Sequence, residues 1–148
     1  MTGIIFTLGV LALAVFGVWA WSVRSHADDL AAWDTLETTF EVMDRSLPPL
    51  GHSEAPPCED EQDGSLTRTY PPSTGPQAAA VIGYLTQLGW TQQTASDSSD
   101  VDPSVLARLT KDSGGRDLTI TVSGPGLNRL VGSVAGHSPG SRVGCLGR

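Results

Sequence analysis

Residues 1–23 carry no Asp, Glu, Lys or Arg and include 17 hydrophobic side chains. As a helix rising about 1.5 Å per residue, the run from Gly3 to Val23 is about 30 Å long, the hydrocarbon thickness of a bilayer. Residues 1–24 are therefore expected to form a single transmembrane anchor that contacts lipid through residues 3–23. Trp19 and Trp21 stand near the end of the run with Arg24 just beyond, the aromatic and cationic pattern of a membrane-water interface. The competing reading is an export signal cleaved near Ala27, where Ser25-His26-Ala27 supplies small residues. No basic residue precedes the run, and the run exceeds the roughly 7–15 residues of a signal core, so an uncleaved anchor is preferred.

Without that run, the hydrophobic content of the chain falls from 39% to about one third, enough for a thin core and too little for a second span. Counted literally, Arg24 on the carboxyl flank favours the domain inside, a weak vote because the positive-inside rule loses force for long translocated domains. Cys58 and Cys145 give a stronger one. They lie 87 positions apart, one near each end of the polar region, as expected of a disulfide that ties a terminus to a domain in an oxidising compartment. The domain is accordingly expected outside the cytoplasm. From Asp28 onward, eight basic side chains face sixteen acidic ones with no Lys or Arg cluster, which argues against nucleic acid or anionic lipid surfaces as partners.

Residues 25–49 read as a juxtamembrane amphipathic helix. Trp33, Leu36, Phe40, Met43 and Leu47 recur at spacings of three and four, and Pro48-Pro49 ends the pattern. No breaker separates it from the apolar run, so one continuous rod is expected, its stripe covering a sheet. Residues 50–63, with Pro56-Pro57 and five acids, read as a solvated connector pinned at Cys58. Residues 64–148 read as the α+β domain proper. A strand over Gly64–Tyr70 precedes a helix opened by Pro76 and stopped by Gly89. Thr91–Thr94 is a short strand and 95–104 a polar loop. A hairpin of Val105–Lys111 and Leu118–Ser123 turns at Gly114-Gly115, and a weaker strand covers about Arg129–Ala135. This order predicts a two-layer α+β domain, an antiparallel sheet with helices on one face. The expected core is Leu66, Val81, Ile82, Leu85, Leu88, Trp90, Leu109, Leu118, Ile120, Val122 and Leu130.

Candidate chemistry is sparse. Gly136-His137-Ser138-Pro139-Gly140 fits the string of a hydrolase nucleophile elbow, but neither a helix nor an acid nor a histidine follows Ser138. It reads as a turn. His52 and His137 each lie a few residues before a cysteine, which leaves a zinc set open beside the preferred disulfide, at spacings unlike ordinary structural zinc sites. Asp97, Asp100 and Asp102 lack the Gly and Glu of a calcium loop. Gly114-Gly115 lacks the Lys of a phosphate loop. No catalytic residue, cofactor or metal is expected.

An apolar leader, an amphipathic helix, a strand, an Ala-rich helix closing on Leu88-Gly89-Trp90 and the Thr-rich strand Leu118–Val122 together resemble small single-pass or exported proteins of unknown function from high-GC Gram-positive bacteria. That resemblance implies location and layout and carries no catalytic residues. The anchor, the small α+β domain, the cysteine pair and the lack of a convergent catalytic set leave three functions to weigh: an interaction module or accessory subunit of an envelope complex, a binding domain using Thr119, Thr121 and Ser123, and a hydrolase acting through Ser138 or a histidine. The first is preferred, with other envelope or membrane proteins as partners.

Overall fold

A computed structural model describes residues 2–59, 61–93, 102–125 and 129–146, with backbone alone for residues 2–12. Its first element is one unbroken helix, α1, Thr2–Ser46, about 67 Å long at 1.5 Å per residue. Then follow β1 Gly51–Ala55, β2 Gly64–Thr69, α2 Ala78–Gln87, β3 Thr91–Gln92, β4 Val105–Ser113, β5 Arg116–Ser123, β6 Ser133–Ser138 and a last turn of helix, α3, Arg142–Cys145. The strands form one antiparallel sheet in the order β1-β2-β6-β5-β4-β3. The domain is α+β, and α1 and α2 lie side by side on one face, where the Tyr84 hydroxyl donates to the Val42 carbonyl across 3.2 Å.

The helical stripe lands on the sheet. Leu36, Phe40 and Met43 are fully buried and Trp33 nearly so, as burial of an apolar face requires. Under it lie Leu66, Leu109, Leu118, Ile120, Val122 and Val134, the inward residues of their strands. Of the expected core, Ile82, Leu88 and Leu130 are only partly buried. Tyr70, Ala78, Ala107, Val131 and Val134 join it instead.

The stops and turns obey local chemistry. At the end of α2, Gly89 takes φ +84°; the Trp90 N–H donates to the Leu85 carbonyl and the Gly89 N–H to that of Thr86. That double bond is the Schellman closure, which a residue without Cβ adopts at no steric cost. The Lys111 ammonium adds a third bond, to the Leu88 carbonyl, and sits over the Trp90 ring. Gly114 and Gly115, both at positive φ, make the two-residue turn between β4 and β5, so the hairpin arms reach Ser113 and Arg116, farther than the composition of Asp112–Arg116 indicates.

Two segments depart from the sequence reading. The connector 50–63 contains a strand: β1 is largely exposed, yet pairs with β2 along its whole length. Its side chains carry no apolar alternation, so backbone pairing alone reveals it. The last strand lies at Ser133–Ser138 rather than Arg129–Ala135, and so absorbs Gly136-His137-Ser138, which reads as a turn by composition. The reason is close packing. A Cβ on Gly136 would lie 2.7 Å from the Phe40 ring and 2.9 Å from Leu36, so glycine is what this strand needs where α1 crosses it.

Candidate functional site

From Trp33 to Met43 the buried face of α1 is apolar apart from Thr39, whose hydroxyl donates to the Thr35 carbonyl within the helix. Toward the N-terminus it continues at the same spacing, but in polar residues: Asp29, Ser25 and Ser22 are buried as well. What covers them is the C-terminal segment. The Ser22 hydroxyl donates to the Val143 carbonyl at 2.6 Å. The Asp29 carboxylate, fully buried, accepts the Ser141 N–H at 2.9 Å on one oxygen and meets the Arg116 guanidinium at 2.7 Å on the other. Arg116 also donates to the Ser25 hydroxyl. A hydrogen bond on one oxygen and charge pairing on the other are what let this carboxylate stay buried. Gly144 sits directly on this patch; a Cβ there would be 2.6 Å from Asp29 Oδ2 and 3.1 Å from the His26 nitrogen.

The same segment is tied to the connector. Cys58 and Cys145 form a disulfide with Cα atoms 5.2 Å apart. Gly140 donates to Asp63 and accepts from the Gln62 amide, and Arg142 donates to Gln62. Cys58 itself takes φ +66°, a left-handed conformation uncommon for a side-chain-bearing residue. Beside the bridge lies a surface cleft of about 280 Å³ lined by Cys58, Glu59, Glu61, Gln62, Arg142 and Cys145.

Before Ser22, α1 has no protein against it among the described residues. Leu13, Val15, Phe16, Val18, Trp19 and Trp21 are each 60% exposed or more, and Arg24 is exposed with them. Among the described residues no helix is long and apolar enough to cross a membrane. The side chains of residues 3–12 of the apolar run lie outside those described. Continuity of α1 through Ser25-His26-Ala27 is plain, with Ser25 buried under the C-terminal segment.

The sheet face opposite the helices is polar and small. Register places Thr67, Ala135, Thr121 and Arg108 in one row across it, and Ser65, His137, Thr119 and Thr110 in the next. Thr119, Thr121 and Ser123 are each half-buried there. His137 lies on this face, 3.3 Å from Asp63. Ser138, its neighbour along β6, points to the covered face and is fully buried. A serine and a histidine on opposite sides of a sheet do not share a proton. His52 pairs with Arg68 in register, one strand from β6 and on the face away from His137, so the two histidines are not brought together and the cysteines bond to each other. Among the described residues no group of three or more His, Cys, Asp or Glu is placed to hold a metal. Asp97 and Asp100 lie outside the described residues. Asp102 accepts the Ser104 N–H, a bond to its charged form that lowers its pKa.

Sequence reasoning missed Ser22, Ser25 and Asp29. Their three- and four-residue spacing is the available signal, hidden because a polar stripe is invisible to a search for apolar periodicity. It missed Arg68 too. Alternating with Leu66 and Tyr70, its guanidinium is buried between Asp44 at 2.8 Å and Glu54 at 2.7 Å, over the Phe40 ring. Burial alone would lower its pKa; the bonds from both carboxylates outweigh that and raise it.

No protein-family model, no curated protein and no solved structure matches the chain.

Proposed function

We propose that the protein is a membrane-anchored extracytoplasmic interaction module, an accessory subunit of a cell-envelope complex without enzymatic activity of its own. One observation carries this reading: α1 runs without a break from an exposed apolar surface, Leu13–Trp21, into the covered face of the sheet. Exposed aromatic and aliphatic side chains at that density need an apolar surrounding. Lipid at residues 3–23, with Trp19, Trp21 and Arg24 at its boundary, satisfies them together with the uncharged turns ahead of them. The Cys58–Cys145 bridge supports placement of the domain outside the cytoplasm. Cleavage near Ala27 is disfavoured, since it would cut a helix whose Ser22 and Ser25 the C-terminal segment covers.

The test is fractionation of cells expressing the full chain. The protein is expected in the membrane pellet after an alkaline carbonate wash, with an intact mass that includes residues 1–27, and protease added to spheroplasts is expected to digest the domain. Recovery in the wash, or a mass beginning after Ala27, defeats the anchor; protection from protease defeats the orientation. Cross-linking in mild detergent addresses the complex, and a chain that only ever appears alone counts against it.

A second reading, a binding domain for a small ligand or envelope polymer, is favoured by the open Ser/Thr face around Thr119, Thr121 and Ser123. Short hydroxyl side chains on a flat sheet offer donors and acceptors at little entropic cost. Under this reading Thr119→Lys with Thr121→Lys abolishes retention on isolated cell envelope and leaves membrane association intact.

A further inference from the structure

We infer that the Cys58–Cys145 disulfide is a thiol–disulfide exchange site, and that its reduction by a dithiol releases the C-terminal segment from α1 while the sheet stays folded. This stands independently of the membrane anchor.

Access comes first. Both cysteines are half-buried and line the open cleft with Glu59, Gln62 and Arg142, so an attacking thiolate reaches the bridge without unfolding the chain. Solvent access at a bridge favours thiol–disulfide exchange.

What the bridge holds is the second point. The core cluster draws on α1, α2 and every strand but β1 and β3, and its last member is Val134. Of α3 the buried residue is Gly144, which has no side chain to bury, and Leu146 just beyond is 82% exposed. Beyond the half-buried Pro139 and Val143 the segment buries no apolar side chain, so hydrophobic burial contributes little to docking it. Besides the covalent link, it is held by the bonds of Ser141 to Asp29, Ser22 to Val143, Gly140 to Gln62 and Asp63, and Arg142 to Gln62, all of which water replaces once the segment lifts. Its loss uncovers Ser22, Ser25 and Asp29, the polar strip next to the apolar run, leaving Arg116 as the remaining partner of Asp29.

The chemistry balances with a dithiol alone. Its thiolate attacks one sulfur and displaces the other cysteine as a thiolate, giving a mixed disulfide. The second thiol of the reductant closes on that bond and leaves as a cyclic disulfide. Cys58 and Cys145 gain two electrons and two protons, and the reductant loses them.

Hydrogen exchange on the full chain in mild detergent, with and without dithiothreitol, is the test. With reduction verified by alkylation mass, amides of residues 140–146 are expected to exchange at least tenfold faster, while those of Leu118–Val122 keep their rate. Cys145→Ser should show the fast pattern without reductant. A bridge that dithiothreitol leaves intact under native conditions overturns the proposal. So does reduction that leaves residues 140–146 protected, and so does acceleration of the whole sheet together.

Discussion

Tyr70 shows how one hydroxyl reports the burial around it. Its ring is in the core and its hydroxyl is buried with no partner among the described residues. Burial, reinforced by the Asp44 charge and opposed by Arg68, pushes the phenol up to about 12. Because the folded state holds this proton more tightly than the unfolded chain, whose tyrosine titrates near 10, the Tyr70 contribution to stability is complete below about pH 10 and is lost as pH rises toward about 12. Tyr70→Phe removes that alkaline loss, and by deleting an unpaired buried hydroxyl it should raise stability by about 1 kcal/mol at pH 7; urea melts at pH 7 and pH 11 read both effects, and an unchanged alkaline slope would refute the assignment. Gly136 reports the opposite constraint. Gly136→Ala forces a methyl against Phe40 and Leu36 and should cost about 1–3 kcal/mol by overpacking, although alanine ordinarily suits a strand interior better than glycine. Tyr70 continues the alternation of Leu66 and Arg68 just past β2, a local signal from which the expected core nonetheless leaves it out, whereas nothing local to Gly136 announces a helix crossing above it.

Along α1, a single helix has three surroundings: exposed apolar from Leu13 to Trp21, buried polar at Ser22, Ser25 and Asp29, and buried mainly apolar from Ala32 to Met43. The last of these is the one that periodicity exposes, and it is where the helix bonds to the sheet. Leu36→Ala should destabilise the domain by about 2–5 kcal/mol, the range for emptying a closed core site. Leu30→Ala, on the exposed side of the same helix, should change stability by less than about 0.5 kcal/mol. Equal costs in chemical denaturation would mean that the helix does not pack as described. β1 teaches the converse. Gly51–Ala55 has neither apolar alternation nor strong β-formers; it is a strand because the edge of β2 offers unpaired backbone groups and because Glu54 reaches Arg68. Such an element exists only once its neighbour does.

The order of the sheet makes the chain depend on its own C-terminal third. β6 lies between β2 and β5, so the two halves of the sheet meet only through it. Truncation after Gly132 should therefore abolish cooperative unfolding, whereas truncation after Gly140, which keeps β6 and removes α3, should leave a cooperative transition. Circular dichroism melts of the two products distinguish these outcomes, and equal behaviour would contradict this role for β6. The same topology places α3 back against the start of the domain-bound part of α1, so that residues more than one hundred positions apart, Asp29 and Ser141, share a buried hydrogen bond.

The amino-acid sequence by itself determined the elements whose signals are local: the unbroken helix and its apolar stripe, the stop at Gly89, the Gly114-Gly115 hairpin, the α+β class and a cysteine pair fit to bond. Each rests on rise, periodicity or a positive φ, properties of a few consecutive residues. Only tertiary structure decided that residues 51–55 are a strand, that Gly136-His137-Ser138 is a strand rather than a turn, and that Ser22, Ser25 and Asp29 are buried. Those outcomes depend on what approaches from elsewhere in the chain: an edge to pair with, a helix needing a missing Cβ, a terminal turn supplying hydrogen bonds. Polar and small residues leave such choices to their partners, because their own burial carries too little free energy to make them alone.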